Sequence, residues 1–261
     1  MIFALAISAL LAQAAAAEDA SFSASVEEKL NQALPGARFQ DAQGNLVSLR
    51  DLVTREKPVV LTLIYYDCPM LCSMVQKGVI KALNGTDLKL GRDYYGLTVS
   101  FSPTDTPREA LSRQIGYLGT LGGHSGRHVD WPFLTGGQGA IVRLADAIGF
   151  RYRWDEEAKQ FEHPAVSVVI TGDGRISRYL YGVDPSPQDM KLAVLEAGQG
   201  KVGTTLERVL LTCFRYDPAQ RKYGVYAWGV LRLGAGAAGL ALFTLLGTLW
   251  WGELKKKRSA A

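Results

Sequence analysis

Cys68 and Cys72 stand four positions apart, just after the run Val59 to Ile64 and with Pro69 between them. That run is short, apolar and rich in β-branched residues, so it reads as a fully buried strand. Pro69 suits the first turn of a helix, where its missing N–H breaks no bond. Leu71, Val75, Val79 and Leu83 recur every fourth residue, which predicts a helix from Pro69 to about Leu83. A strand, turn and helix of this kind set both sulfurs on one side, one turn apart. The helix N-terminus favours thiolate over thiol. Two thiolates there can bind a soft metal or exchange disulfides, and their spacing alone leaves both readings open.

The rest of the chain must carry and shield that pair. With 261 residues there is room for about one large domain between two terminal segments. The net charge of +4 owes part of its size to Lys255-Lys256-Lys257-Arg258 and is no argument for nucleic acid. Three cysteines are too few for a disulfide scaffold, and no second pair offers a zinc site.

Both termini read as targeting segments. Residues 1–17 are apolar and end in Ala15-Ala16-Ala17, which predicts a cleaved signal peptide. Residues 233–251 carry no charge and are flanked by Trp228, Trp250 and Trp251, which predicts a transmembrane helix about 28 Å long. The basic tail 252–261 then stays in the cytoplasm and the domain faces outward. This topology places the protein in a bacterial inner membrane, with its soluble domain in the periplasm.

Between these ends, 18–34 reads as a leader helix or linker and 201–232 as a membrane-proximal segment. Phe39 and Leu46 to Leu49 flank a glycine turn, a hairpin signal. Further strands are predicted at Tyr94–Phe101, Phe150–Trp154, Ala165–Thr171 and Arg175–Tyr181. Helices are predicted from Pro107 to about Leu121, near Ala140–Ile148 and over about Pro187–Ala197, with Thr106 capping the first. Alternating strands and helices closed by a hairpin give an α/β thioredoxin-like sandwich with a central mixed sheet over 35–200.

Four short stretches carry a resemblance. Cys68-Pro69-Met70-Leu71-Cys72, Asp105-Thr106-Pro107, Phe133-Leu134-Thr135-Gly136 and His163 stand in the order and on the elements of the Sco/SenC family of copper proteins. The likeness covers roughly Pro35 to Gly198. It departs from the family pattern at Ser73, where many members have Pro, and at Ser102 before Pro103. The best-known members are anchored by an N-terminal helix, whereas here the anchor is expected at the C-terminus.

The resemblance implies that Cys68, Cys72 and His163 bind copper. From spacing alone His163 reads equally well as a surface-loop histidine. Two thiolates and an imidazole suit Cu(I), and with a further ligand Cu(II). The function so implied is a membrane-anchored metallochaperone that delivers copper to subunit II of cytochrome c oxidase, with a periplasmic copper donor and a thiol reductant as further partners. The alternative is a thiol–disulfide oxidoreductase using Cys68 and Cys72. Pro164 after His163 resembles the cis-proline of thioredoxin-like oxidoreductases, but the Cys-x-x-x-Cys spacing is one residue longer than that of dedicated redox pairs. Met70 reads either as a soft auxiliary ligand or, the preferred reading, as packing beside the helix; Trp131 is expected to lie in the core and Cys213 to be a buried small hydrophobe. His124 and His128 read by default as solvated loop residues, with transient metal binding as the alternative. Asp67, Asp105 and Arg127 are candidates to support the ligands.

Overall fold

The computed structural model describes residues 23–122, 128–203, 214–217 and 222–225, with 235–236, 238–239 and 242–244. The expected signal segment lies outside the described residues, as does most of 233–251. Among the described residues no helix is long and apolar enough to cross a membrane.

The chain divides into two compact units at Val202/Gly203. In chain order the first contains β1 (Ser25–Val26), β2 (Arg38–Gln40), β3 (Leu46–Ser48), α1 (Leu49–Val53), β4 (Val59–Ile64) and α2 (Leu71–Asn84). There follow β5 (Tyr95–Ser100), α3 (Pro107–Leu118), β6 (Phe133–Leu134), α4 (Gln138–Ala147), β7 (Phe150–Arg151), β8 (Arg153–Asp155) and β9 (Gln160–Glu162). The unit closes with β10 (Val166–Ile170), β11 (Ile176–Tyr181) and α5 (Pro187–Gly198). The second unit contains an antiparallel pair, β12 (Phe214–Asp217) with β13 (Lys222–Val225).

Five strands make the central mixed sheet, in the order β11-β10-β4-β5-β6. β4 is buried at all six positions because it is central, parallel to β5 on one side and antiparallel to β10 on the other. A strand covered on both faces needs apolar residues without alternation, and each such side chain contributes about 1.5–3 kcal/mol when fully buried. The turn at Gly172-Asp173-Gly174 folds β10 back onto β11, and Gly174 adopts φ +85° there. The expected thioredoxin-like sandwich is the observed architecture.

Two features fix α2 above this sheet. Gly78 lets the helix approach the loop after β11, since a Cβ there would lie 1.8 Å from the Val183 carbonyl oxygen. Beneath the helix runs a buried chain of hydrogen bonds. The Trp131 indole donates to Thr98 Oγ1 at 2.9 Å, Thr98 meets Thr62 at 2.9 Å, and Thr62 donates to Gln76 Oε1 at 2.8 Å. Trp131 fits because Gly96 has no side chain: a Cβ there would sit 1.9 Å from the indole. Buried polar atoms joined in this way set one register for the helix over the strands.

Several expectations shift. The helix begins at Leu71, with Met70 at its cap, so Pro69 and Cys68 lie in the turn before it. Within the expected leader, Ser25–Val26 is extended and pairs with Phe150–Arg151. Thr106 caps α3 in a reciprocal box with Glu109, and the helix ends at Leu118. The hairpin of β8 with β9 was not foreseen.

Candidate metal centre

Cys68 and Cys72 sit where β4 gives way to α2, and His163 sits in the loop between β9 and β10. β10 pairs with β4, so the sheet itself brings the histidine loop beside the cysteine turn. One ligand atom from each of the three lies within 4.8 Å of the others, and all three residues are buried. His163 Nε2 is 3.4 Å from Cys72 Sγ. His163 Nδ1 lies 3.1 Å from the Pro164 carbonyl oxygen, which can only accept, so Nδ1 carries the proton. That leaves the lone pair of Nε2 facing the sulfurs, as a metal-ligating imidazole requires. The ring is walled by Phe101, Phe150 and Tyr65 at centroid distances of 5.1, 6.1 and 6.1 Å.

The sulfurs are held by backbone donors. Cys72 N–H donates to Cys68 Sγ at 3.2 Å, and Tyr65 N–H donates to Cys72 Sγ at 3.4 Å. Cys68 thus takes one of the free N–H groups at the start of α2, which explains why it stands outside the helix rather than in its first turn. The two thiols are driven apart in acidity. A hydrogen bond from the Cys72 side chain, with others from the N–H groups of Cys72 and Met70, overcomes burial and lowers Cys68 to about 3. Burial, then the hydrogen bond to Cys68, pushes Cys72 up. The two sulfurs lie within 4.8 Å of each other, and capture of a metal by both displaces the proton that Cys72 keeps.

Three of the sequence stretches converge on the cysteine turn. Asp105 Oδ2 accepts from Tyr66 N–H at 2.6 Å and from Ser100 Oγ at 2.5 Å. Arg113, on α3, donates to the Tyr66 carbonyl oxygen. Tyr66 in turn donates its hydroxyl to the Leu134 carbonyl oxygen at 2.8 Å. Asp105 is therefore a support of the cysteine turn, and the Phe133–Gly136 stretch anchors the same turn from the sheet edge. Burial raises the Asp105 carboxyl above its ordinary value, against the hydrogen bonds it accepts.

Other candidates fall elsewhere. Asp67 is exposed. Trp131 is fully buried, as expected. No peptide bond is cis among the described residues, so Pro164 does not reproduce the oxidoreductase cis-proline. Met70 does not pack beside the helix: it is 66% exposed. It borders a cleft of about 580 Å³ that Cys68, Tyr65, Phe161 and His163 also line. His124, Arg127 and Cys213 lie outside the described residues, and His128 opens a short 3-10 turn. Arg113 and Ser100 were missed, as was the pairing of β8 with β9, although the strand expected over Phe150–Trp154 overlaps β8.

The family model for SCO1/SenC matches residues 28–196, well over half of the chain. The chain belongs to the SCO1/SenC family. No curated protein sequence matches it. Among solved structures it is similar to a protein of Aquifex aeolicus VF5 provisionally assigned to electron transfer, with 27% identity and a TM-score of 0.58 over 66% of this chain and 96% of that one. It is also similar to BsSco, a member of the Sco family of cytochrome c oxidase assembly proteins in which a disulfide switch is described. There the identity is 22% and the TM-score 0.50, over 67% of this chain and 99% of that one. Arabidopsis thaliana ScoI, solved with copper bound, is 18% identical with a TM-score of 0.49 over 64% of this chain and 98% of that one. Cys68, Cys72 and His163, derived above from geometry, fall within the matched span.

Proposed function

We propose that this protein is a copper carrier of cytochrome c oxidase assembly, holding copper on Cys68, Cys72 and His163 and passing it to subunit II of the oxidase. The observation that carries the reading is the buried S, S, N donor set with its imidazole lone pair turned inward. Two thiolates select a soft ion, and three ligands suit Cu(I) better than zinc in a closed structural site. A three-ligand site also leaves the metal open to attack by an acceptor's ligands, which a carrier needs and a structural site does not. Delivery to an exported oxidase subunit fits the periplasmic, C-terminally anchored topology expected from the sequence, with a periplasmic copper donor and a thiol reductant upstream. Oxidation of the two thiols to a disulfide removes both sulfur ligands, so loading requires the reduced protein.

A second reading, reduction of disulfides in a partner, is favoured by one feature: the hydrogen bonds on Cys68, the Cys72 N–H among them, hold its thiol well below the ordinary range. Titration of the reduced full-length protein with Cu(I) against a chromophoric competitor separates the two. We expect one tightly held Cu(I), weakened by about tenfold or more in His163→Ala with the fold unchanged by circular dichroism. A reduced protein that holds no copper yet exchanges disulfides quickly would overturn the carrier and establish the reductase.

A further inference from the structure

Between α2 and α3 lies a groove of about 520 Å³ that the metal centre does not use. Its α2 wall is the row Ser73, Lys77 and Lys81, spaced four apart and so stacked along one helix face. Its α3 wall carries Arg113 and Tyr117, with Gly116 beside them. A Cβ at Gly116 would meet nothing within 4 Å, so this glycine leaves open space rather than a close contact. Ile80 and Tyr117 are both buried and give the groove an apolar floor. The groove begins at the residue after Cys72, where Tyr117 donates its hydroxyl to Ser73 Oγ at 3.0 Å. Three cations and no carboxylate line it. Lys81 meets Asp184 at 2.8 Å, in an exposed pair that contributes little. Arg113 gives one N–H to the Tyr66 carbonyl oxygen, a neutral acceptor, and Lys77 has no ion partner among the described residues. Like charges gathered around a concave surface focus the potential and concentrate anions there.

We propose that the α2–α3 groove binds a small polyanion whose charges are carboxylates or phosphates. The size fits, since small-molecule sites run from about 300 to 1,000 Å³. The charges stand on both walls, Lys77 on one helix and Arg113 on the other. Packed helix axes lie about 8–10 Å apart, so a ligand with two or more anionic groups meets both cations where a single carboxylate meets one. A guanidinium presents its remaining N–H groups as a fork that matches carboxylate and phosphate alike. The ammonium of Lys77 supplies a mobile point charge opposite it, and Ser112 adds a hydroxyl donor.

The test is isothermal titration of the reduced, copper-free full-length protein with citrate and, separately, with pyrophosphate. We expect saturable binding at one anion per chain, and the tighter of the two assigns carboxylate or phosphate as the ligand's charge. Acetate, with a single charge, should bind at least about tenfold more weakly. Lys77→Gln should weaken the preferred anion by about threefold to tenfold. Gly116→Leu fills the groove while raising helix propensity, and it should abolish binding with circular dichroism unchanged. Lys89 is exposed and lies outside the groove, so Lys89→Gln should bind as wild type does. No saturable binding of either anion, acetate binding as tightly as both, or equal affinity in wild type, Lys77→Gln and Gly116→Leu overturns the site. An equal loss in Lys89→Gln would mean general attraction to surface charge and overturns it too. Copper takes no part in the titration, so failure of the carrier reading leaves this result untouched.

Discussion

Asp105 holds the cysteine turn through two hydrogen bonds to one oxygen, yet it is half-buried and its carboxyl is raised by that burial. The sign of its effect on stability follows from linkage. Where the folded pKa exceeds the unfolded one, the native state binds the extra proton. The contribution is then fully present below the unfolded value and is lost as pH rises through the folded one. Asp105→Asn keeps an oxygen to accept from Tyr66 N–H and Ser100 Oγ but cannot ionise. We therefore expect wild-type stability, measured by urea unfolding, to fall relative to Asp105→Asn as pH climbs from the ordinary aspartate range toward neutrality. A difference that is flat with pH, or one that grows in favour of wild type, would contradict this assignment.

At the scale of elements, the chain from Trp131 through Thr98 and Thr62 to Gln76 is what seats α2, and through it Cys72, on the sheet. Thr62→Val keeps volume and β-propensity but leaves the Gln76 oxygen without its nearest donor, at a cost of about 1–3 kcal/mol. The expected result is a lower urea midpoint at unchanged slope. A midpoint equal to wild type would mean the network does not hold the helix. Much of this was legible beforehand. A buried central strand needs unbroken apolar residues and an amphipathic helix needs its period, so β4 and α2 were visible in their own residues. The helix start was misplaced by two positions because Pro69 is as acceptable before a cap as after it, and only the Cys68 sulfur accepting the Cys72 N–H decides between them. The strand expected over Phe150–Trp154 overlaps β8, but β9 is three residues long, too short to show alternation, so the hairpin was not visible. His163 meets Cys72 across 91 positions, a contact that no local pattern encodes and that only the family resemblance anticipated. Met70 looked like packing because apolar residues at helical spacing look alike until one sees which face is covered.

Across the whole first unit, the three ligands come from two segments that the sheet holds adjacent, the β4–α2 turn with the first turn of α2 and the β9–β10 connection. A metal held by both ties segments that separate when the sheet opens, so binding and folding are linked. A ligand that binds only the native state stabilises it by an amount set by its excess over the dissociation constant, about 2.7 kcal/mol at a hundredfold excess. Unfolded thiols also bind Cu(I), which reduces the gain, but they do so without the preplaced imidazole. Cu(I) loading of the reduced full-length protein should therefore raise the thermal midpoint of this unit, followed by near-ultraviolet circular dichroism. Cys72→Ser should lose most of that rise, because it removes the sulfur that lies 3.4 Å from His163 Nε2 and within 4.8 Å of the Cys68 sulfur. The oxidised protein, its sulfurs joined to each other, should show none. If the oxidised form and Cys72→Ser gain as much as the reduced wild type, the metal is held somewhere other than between these two segments, and the Cys68–Cys72–His163 centre is not the one that carries copper.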